Sequence, residues 1–333
     1  MGFAVRSLDE DVALLRACVG EGLRAIDTAP LYGFGSSERA VGRLLAELPA
    51  NERPEVYTKV GLRWEDARGD VLFVAQVDGR ELVVRRDSRP ESVIRDVETS
   101  CERLGLERLA LVQVHHRDPH VPIAETMGAL ADLHRAGRVG AIGVSNFSPE
   151  DVAEAARALG SIPLASLQSS LSLLELGARA SLHAAQAVGA GFLAYSPLAQ
   201  GLLTGAHGPD RSYPPSDWRA GTPLFSTRSR ARIAQALARV VDPIAQAHDA
   251  TLGQIALAWV LHQPGVTAAI VGASSAAQAA QNVRAATIGL STRELATLER
   301  AFAPLASRGT KPFLARARGV IERAKAWRGN GSR

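Results

Sequence analysis

VGAIGVSNFSPE, residues 139–150, joins the end of one secondary-structure element to the start of another. Val139 to Val144 is a short apolar run with β-branched residues, and such a run predicts a strand. Ser148-Pro149-Glu150 follows it, and a serine N-cap with proline at the first helical position is typical of a helix N-terminus. A strand that leads directly into a helix predicts one βα unit of a parallel sheet.

The same alternation continues along the chain of 333 residues. Ser7 and Glu10 form a capping box that predicts the start of the first helix. Eight βα units in a chain of this length predict an α/β protein with the (β/α)8 TIM-barrel fold, whose active site lies at the C-terminal ends of the strands. We expect one domain over residues 1–333. The other predicted strands are Gly2 to Val5, Arg24 to Asp27, Glu55 to Lys59, Ala110 to His115, Leu164 to Gln168, Gly191 to Tyr195 and Thr267 to Val271.

An open, doubly wound sheet is the alternative fold. It normally carries a G-x-G-x-x-G motif directly after its first strand. The glycines of GFGSSERAVG, residues 33–42, have a different spacing and do not directly follow a predicted strand. The sequence therefore favours the barrel.

Three segments are longer than a βα connection requires: residues 62–90, residues 199–230 and the tail from about residue 303. The first contains VLFVAQVDGRELVVRR, two alternating runs joined at Asp78-Gly79, which predicts a β-hairpin. Long loops on a barrel usually carry function, so we expect these segments to cover the site at the C-terminal face.

The composition excludes several classes of protein. A chain that is 46% apolar with a net charge of +4 is not disordered. Its 38 basic and 34 acidic residues form no block of five like charges, so nucleic-acid binding is not indicated. Cys18 and Cys101 fit neither a disulfide framework nor a zinc motif. We find no signal peptide, and the apolar tract 255–273 is interrupted by His262-Gln263-Pro264, so we expect a cytoplasmic protein without a membrane span.

Polar side chains with useful chemistry occur where the predicted strands end. A phenol is a weak acid near pH 7, but a neighbouring ammonium stabilises its phenolate and makes proton transfer accessible. Lys59, the only lysine among the first 310 residues, could supply that charge to Tyr32, with Asp27 orienting the lysine and His115 binding the substrate oxygen. The full set is Asp27, Lys59, His115, Asn146, Gln168 and Tyr195, with Tyr32 in the loop after Asp27.

Each of these residues also has a plainer interpretation. Asp27 could cap a turn, Lys59 could be a solvated strand end, and Tyr32 could pack at the rim. HHRDPH, residues 115–120, also suggests a metal-dependent hydrolase. We expect no metal, because His115 and His116 should point to opposite faces of an extended chain.

Six segments resemble the aldo-keto reductase superfamily: DTAPLYGFGSSERAVGRLL, VYTKVGL, LVQVHHRDP, GAIGVSNFS, LAYSPLAQGLLTG and IVGASSAAQAAQN. They occur in the family's order between residues 24 and 284. The resemblance implies a TIM barrel that binds a nicotinamide dinucleotide and transfers hydride to or from a carbonyl carbon. It further implies Tyr32 as general acid, tuned by Asp27 and Lys59, with His115 orienting the carbonyl.

The resemblance also implies a set of cofactor-binding residues. Ser145, Asn146 and Gln168 would bind the carboxamide, and Tyr195 would stack under the nicotinamide. The loop from Ser196 to Gly205 would cross the pyrophosphate, with Ser196, Leu198, Gly201 and Leu203 as its cofactor contacts. Gly272, Ser274, Gln278 and Asn282 would lie at the adenosine end, where a helix N-terminus suits a phosphate.

The chain departs from the family's pattern in four places. Compared with the family, we expect the N-terminal hairpin and most of the first loop to be missing or truncated. Gly272, Ser274 and Gln278 replace basic residues that often bind a 2′-phosphate, although Arg211, Arg219 or Arg228 could supply charge. Leu171 replaces an aromatic residue, and His116-Arg117 stands where many relatives have Trp-Pro, which would shift substrate preference toward polar compounds.

We therefore predict an enzyme that reduces an aldehyde or ketone with NADPH, with NAD(H) also possible as cofactor. The predicted partner is a small carbonyl substrate, and the sequence does not predict the oligomeric state. Two alternatives stay open. One is an NAD(P)-dependent aldose or polyol dehydrogenase that works in the oxidative direction, and the other is a slow, redox-sensing regulatory subunit with the same fold.

Overall fold

The computed structural model describes residues 7–77, 80–214 and 217–307. In this part of the chain the larger sheet has seven strands, whose order across the sheet is their order along the chain. Seven of the eight predicted strands are confirmed, with ends that differ by a few residues. The eighth, Gly2 to Val5, lies outside the described residues. The strands of this sheet are β1 Ala25–Asp27, β2 Glu55–Val60, β6 Leu109–Val114, β7 Val139–Ser145, β8 Leu164–Ser170, β9 Gly191–Tyr195 and β10 Val266–Ile270.

The strands of this sheet pair in parallel, as βα units require. Lys59 on β2 lies opposite Gln113 on β6, and Gln113 lies opposite Gly143 on β7. Gly143 in turn lies opposite Ser166 on β8, where a Cβ on residue 143 would be 2.2 Å from the Ser166 Oγ. A side chain at residue 143 would therefore push the neighbouring strand away from its register.

Helices follow the strands in the expected order. Two predicted starts are confirmed: Ser7 and Glu10 form a capping box at α1, and Ser148 caps α5 with Pro149 in its first turn. The α-helices in the described ranges are α1 Leu8–Gly20, α2 Ser36–Glu47, α3 Pro90–Leu104, α4 Ile123–Arg135, α5 Pro149–Leu159, α6 Arg179–Ala187, α7 Thr227–Ala236, α8 Asp242–Ala247, α9 Leu252–Leu261, α10 Ala276–Arg284 and α11 Thr292–Phe302.

A small antiparallel sheet of three strands lies outside the main one, and the last of the three along the chain is its central strand. Its strands are β3 Leu62–Arg63, β4 Asp70–Val77 and β5 Arg80–Arg86. The β4–β5 pairing confirms the predicted hairpin, although its turn, Asp78-Gly79, lies outside the described residues. The sequence did not predict β3, because two residues are too few to show the alternation of apolar and polar side chains that is typical of a strand.

The chain packs as two compact units. The first contains the described residues from Ser7 to Gln168 together with Ala180–Leu193 and Gly272–Val283. The second contains the described residues of Ser169–Arg179, of Ala194–Val271 and of the segment from Arg284 to Ser307. The interpretation of residues 1–333 as one domain stays a prediction.

Within the first unit, the hairpin packs beside the loop that carries Tyr32. The buried residues of this hairpin cluster are Leu31, Leu62, Leu72 and Val84. The rings of Tyr32, Phe34, Trp64 and Phe73 pack against them. The hairpin therefore forms one wall around the candidate acid.

In the second unit, α9 is buried on almost every side, and Trp259 is its largest fully buried side chain. Among the described residues, no helix is both long and apolar enough to cross a membrane.

Candidate active site

Lys59 is the centre of the candidate site. It lies near the end of β2 with its side chain only 1% exposed, and its Nζ donates to the Asp27 Oδ2 at 2.6 Å and to the Thr28 carbonyl at 3.0 Å. Asp27 is held in turn by Gln168, whose Nε2 donates to the Asp27 Oδ1 at 2.7 Å. A buried ammonium with a carboxylate partner stays charged, and the charge is fixed in position.

Tyr32 lies in a tight turn between β1 and α2. Its backbone N–H donates to the Ala29 carbonyl at 3.0 Å, and Gly35 begins α2 with a φ of 89°. The Lys59 Nζ lies 4.9 Å from the centre of the Tyr32 ring. The ring also meets the His115 imidazole edge to face, with centroids 5.9 Å apart. The structure therefore brings Asp27, Tyr32, Lys59 and His115 together.

The environment shifts the pKa values of these groups. Burial raises the pKa of Tyr32 above its ordinary 10.0, and the Lys59 charge opposes that rise. Burial alone would lower the pKa of Lys59, but Asp27 and Tyr32 outweigh it and the pKa is raised. Tyr32 is thus a protonated phenol at neutral pH beside a permanent cation.

His115 follows β6 and is an uncharged imidazole at neutral pH. Burial, followed by the charges of Lys59 and His116, lowers its pKa well below 6.5. A neutral imidazole offers one N–H donor and one acceptor nitrogen. It can therefore orient a substrate oxygen without adding charge to the site.

The expectation that His115 and His116 point to opposite faces was wrong. Their rings stack with centroids 5.4 Å apart and planes 9° from parallel. β6 ends at Val114 and the chain bends at His116, so strand alternation no longer applies there. Even so, no three His, Cys, Asp or Glu side chains in the described ranges are grouped to hold a metal ion.

Ser145, Asn146 and Gln168 form a hydrogen-bonded group at the ends of β7 and β8. Asn146 has a φ of 60°, and its Nδ2 donates to the His115 carbonyl at 3.1 Å and to the Ser145 Oγ at 3.0 Å. Its backbone N–H donates to the Gln168 carbonyl at 3.0 Å. Amide and hydroxyl groups both donate and accept, so this group fits a carboxamide, which offers one carbonyl and one NH2.

The second unit holds Tyr195 and the loop that follows it. Tyr195 ends β9, and its carbonyl accepts from the Leu171 N–H at 3.2 Å. Ser196 and Gly201 have φ angles of 54° and 91°, so the backbone turns sharply there. The loop packs inward at Leu203, which is fully buried, while Leu198 stays partly exposed.

The remaining predicted cofactor residues lie just before α10, at Gly272 and Ser274, and along it, at Gln278 and Asn282. The backbone N–H and the hydroxyl of Ser274 donate to the Gln278 Oε1 at 2.8 and 2.7 Å. The Asn282 Nδ2 donates to the Gly272 carbonyl at 3.4 Å. This helix end fits a phosphate through its backbone amides, but residues 272–283 contain no lysine or arginine.

Two of the three arginines suggested as replacements, Arg211 and Arg219, are engaged within their own unit. Arg219 pairs with Asp217 through its Nε and Nη2, at 2.9 and 2.5 Å. The Arg211 Nη1 donates to the Ala206 carbonyl at 3.0 Å. In the structure, Arg211 and Arg219 thus pair with groups of the protein itself.

Sequence reasoning missed several buried polar groups around the site. The Thr58 hydroxyl donates to Glu38 at 2.7 Å, and Glu38 also pairs with Arg103 at 3.3 Å. Asp96 pairs with Arg63 and accepts from the Gly61 N–H at 2.9 Å. Burial raises the pKa of Asp96 to about 7 against both partners. Charged residues on amphipathic helices normally indicate a solvated face, so nothing in the pattern predicted these contacts.

Comparisons with known proteins agree with this geometry. The model of the aldo/keto reductase family matches residues 5–302. The NADH-specific methylglyoxal reductase of Escherichia coli K12 is 34% identical, over 85% of this chain and 84% of that protein. The L-glyceraldehyde 3-phosphate reductase of the same organism is 31% identical, over 89% and 84%. The solved structure of a glycerol dehydrogenase from Gluconobacter oxydans superposes with a TM-score of 0.80 at 34% identity, covering 89% of this chain and 86% of that one.

Proposed function

As the chain belongs to the aldo/keto reductase family and is an NAD(P)H-dependent oxidoreductase, we propose that it reduces an aldehyde or a ketone with Tyr32 as proton donor. One observation carries this proposal: the buried ammonium of Lys59, fixed by Asp27 at 2.6 Å, lies 4.9 Å from the centre of the Tyr32 ring. A cation buried this way stabilises a phenolate on that ring.

The proton moves from the Tyr32 hydroxyl to the carbonyl oxygen. A bound nicotinamide dinucleotide supplies the hydride that the carbonyl carbon accepts. As negative charge develops on the oxygen, the phenol releases its proton there, and the phenolate left behind is stabilised by Lys59. A positioned acid of this kind accelerates proton transfer by about 10²- to 10⁴-fold.

His115 orients the oxygen that receives the proton. Its ring lies 5.9 Å from the Tyr32 ring at an interplanar angle of 84°. Because burial keeps the imidazole uncharged, it donates one neutral hydrogen bond and leaves Tyr32 as the acid. Asn146 supports this geometry through its bond to the His115 carbonyl.

The cofactor would be held by two sets of groups. Ser145, Asn146 and Gln168 match a carboxamide, and the N-terminus of α10 matches a phosphate. For the loop from Ser196 to Gly205, and for Tyr195 as the stacking ring, support comes from the family's motif. Residues 272–283 contain no lysine or arginine to pair with a 2′-phosphate. We therefore propose that the protein uses both NADH and NADPH as cofactors.

Replacing Gln278 with Arg is expected to tighten NADPH binding about tenfold, because a charge-assisted bond to a phosphate exceeds a neutral one by this order. NADH binding should change little. Quenching of Trp fluorescence during titration measures both dissociation constants. Gln281→Arg, farther along α10, is the control. A preference of the unmodified protein for NADPH over NADH of more than about a hundredfold would contradict the proposal that both cofactors are used.

Oxidation of a polyol is the second candidate, because the structurally similar glycerol dehydrogenase is named for that direction. The same residues serve it in reverse, with phenolate at Tyr32 accepting the proton. The direction then depends on the cofactor ratio and the substrate.

The test of the function is turnover of purified protein with a panel of aldehydes, ketones, aldoses and polyols, in the presence of NADPH, NADH or their oxidised forms. Oxidation of the reduced cofactor by a carbonyl compound is the expected result. Tight binding without turnover of any compound would contradict the proposed carbonyl reduction and favour a slow, redox-sensing regulatory subunit of the same fold.

A further inference from the structure

The peptide bond between Val60 and Gly61 links the ends of two strands, β2 and β6. Val60 ends β2, directly after Lys59, and its carbonyl accepts from the His115 N–H at 3.0 Å. His115 itself directly follows the end of β6. Because a peptide unit is planar and rigid, the orientation of this one unit determines where the His115 backbone is held.

Asp96, on α3, holds the other side of the same peptide. The Gly61 N–H lies beyond the end of β2 and donates to the Asp96 Oδ2 at 2.9 Å. Asp96 is only 8% exposed, and a hydrogen bond to a carboxylate is stronger than one to a neutral acceptor. The peptide is therefore fixed by hydrogen bonds on both sides, to His115 through its carbonyl and to Asp96 through its N–H.

The backbone at Gly61 makes the bond to Asp96 important. Gly61 has a φ of 88°, and glycine rotates at little cost, so the peptide before it can tilt unless a hydrogen bond fixes its N–H. The Gly61 carbonyl, which belongs to the next peptide, accepts from the Asp87 N–H at 3.1 Å. That bond fixes the chain after Gly61, whereas the N–H of the Val60–Gly61 peptide is fixed by Asp96.

Stability alone does not explain a carboxyl at residue 96. Arg63 pairs with the Oδ1 of Asp96, and the Gly61 N–H donates to the Oδ2, so the two partners use different oxygens. Burial raises the pKa of Asp96 to about 7 against both partners, which shows that the buried charge is costly. A buried ion pair rarely exceeds a well-packed apolar pair in stability. The buried Gly61 N–H, by contrast, requires an acceptor, and the carboxyl supplies it.

We propose that Asp96 is a positioning residue for the reaction, which holds His115 in place through the Val60–Gly61 peptide. The inference rests on the proposed function, in which His115 orients the carbonyl and Lys59, the residue before Val60, stabilises the phenolate. A displacement of about 1 Å in a positioning group can lower the rate about 100-fold, so we expect the loss of one restraint to lower kcat about tenfold.

The test compares two double variants that both lack the ion pair. Asp96→Asn with Arg63→Met keeps an acceptor oxygen for the Gly61 N–H, and Asp96→Leu with Arg63→Met removes it while keeping a side chain of similar size. We expect kcat within about threefold of the unmodified protein in the asparagine variant and about tenfold lower in the leucine variant. The dissociation constant of NADPH should change less than about threefold in both, because the loss concerns the orientation of the carbonyl during the reaction.

Amide hydrogen exchange measures the effect on His115 without turnover. In the leucine variant the N–H groups of Gly61 and His115 should exchange about tenfold faster than in the asparagine variant, because a peptide that can tilt protects neither of them. Val97→Ala is the control for stability, since it removes buried methyl groups from the same helix and its side chain cannot bond to Gly61. It should lower the Tm and leave kcat within about twofold.

The outcomes separate this role of Asp96 from the proposed function. Equal kcat in the two double variants, or a lower kcat in the leucine variant without faster exchange at His115, would overturn the role and leave the proposed function intact. Absence of turnover by the unmodified protein would overturn the proposed function. In that case faster exchange in the leucine variant supports the hold of Asp96 on His115, and equal exchange overturns it. If the leucine variant does not fold, Asp96→Val with Arg63→Met, which has a smaller apolar side chain, replaces it in each comparison.

Discussion

Replacing Tyr32 with Phe is expected to lower kcat by roughly 100-fold or more, the scale that loss of a positioned acid produces. The affinity for NADPH and NADH should stay within about twofold, because the phenol donates its proton only during the reaction. Steady-state kinetics with the preferred carbonyl compound gives the first value, and fluorescence titration gives the second.

The phenylalanine ring should keep the packing of Tyr32. It retains the edge-to-face contact with His115 and the place of the ring against Leu31, Leu62, Leu72 and Val84. The free energy of unfolding should therefore change little. Tyr57→Phe, which removes a hydroxyl bonded to Glu55 at 2.8 Å on the same sheet, is the matched control. An undiminished kcat in Tyr32→Phe would exclude this residue as the acid.

The pH dependence of kcat follows from the same groups. Because the pKa of Tyr32 is raised above 10.0, the phenol keeps its proton through neutral and mildly alkaline pH. The rate of reduction should hold over that range and fall only as the phenol ionises at higher pH. His115, whose pKa lies well below 6.5, should add no step between pH 6 and 8.

The sequence predicted residues that the structure places close together, because their side chains follow the ends of the strands. Lys59 and His115 could be placed from the apolar runs that precede them, since parallel strands in a barrel end at one face. Lys59 was conspicuous because the chain otherwise uses arginine almost throughout. For Lys59 and His115, the position expected from the local sequence pattern therefore agrees with the position in the fold.

The features that could not be predicted from the sequence depend on bends of the chain and on tertiary contacts. Strand alternation placed His116 opposite His115, but the bend after Val114 stacked the two rings. Similarly, Asp96 lies on an amphipathic helix, and it is buried against Arg63 of the short strand β3. Two residues are too few to show the alternation of buried and exposed side chains by which a strand is predicted. Periodicity describes regular elements, so it carries no information where the chain leaves them.

Replacing Lys59 with Met is expected to have the second large effect, and it should affect activity and stability together. Removing the ammonium removes the charge that lowers the pKa of Tyr32, so the phenol becomes a still weaker acid. We expect kcat to fall by roughly 100-fold or more. The basic limb of the pH profile should move to higher pH, and a profile with unchanged limbs would contradict the coupling.

The stability effect comes from Asp27, which is 8% exposed and pairs with Lys59 at 2.6 Å. Methionine leaves its carboxylate buried beside the Gln168 amide alone, and breaking a buried ion pair costs about 3–5 kcal/mol in the free energy of unfolding. Urea unfolding measures this loss. The double variant Asp27→Asn with Lys59→Met removes the unpaired charge and should recover part of the stability without recovering kcat, because the phenolate still lacks its cation. Recovery of both would mean that Lys59 acts on the fold and not on the acidity of Tyr32.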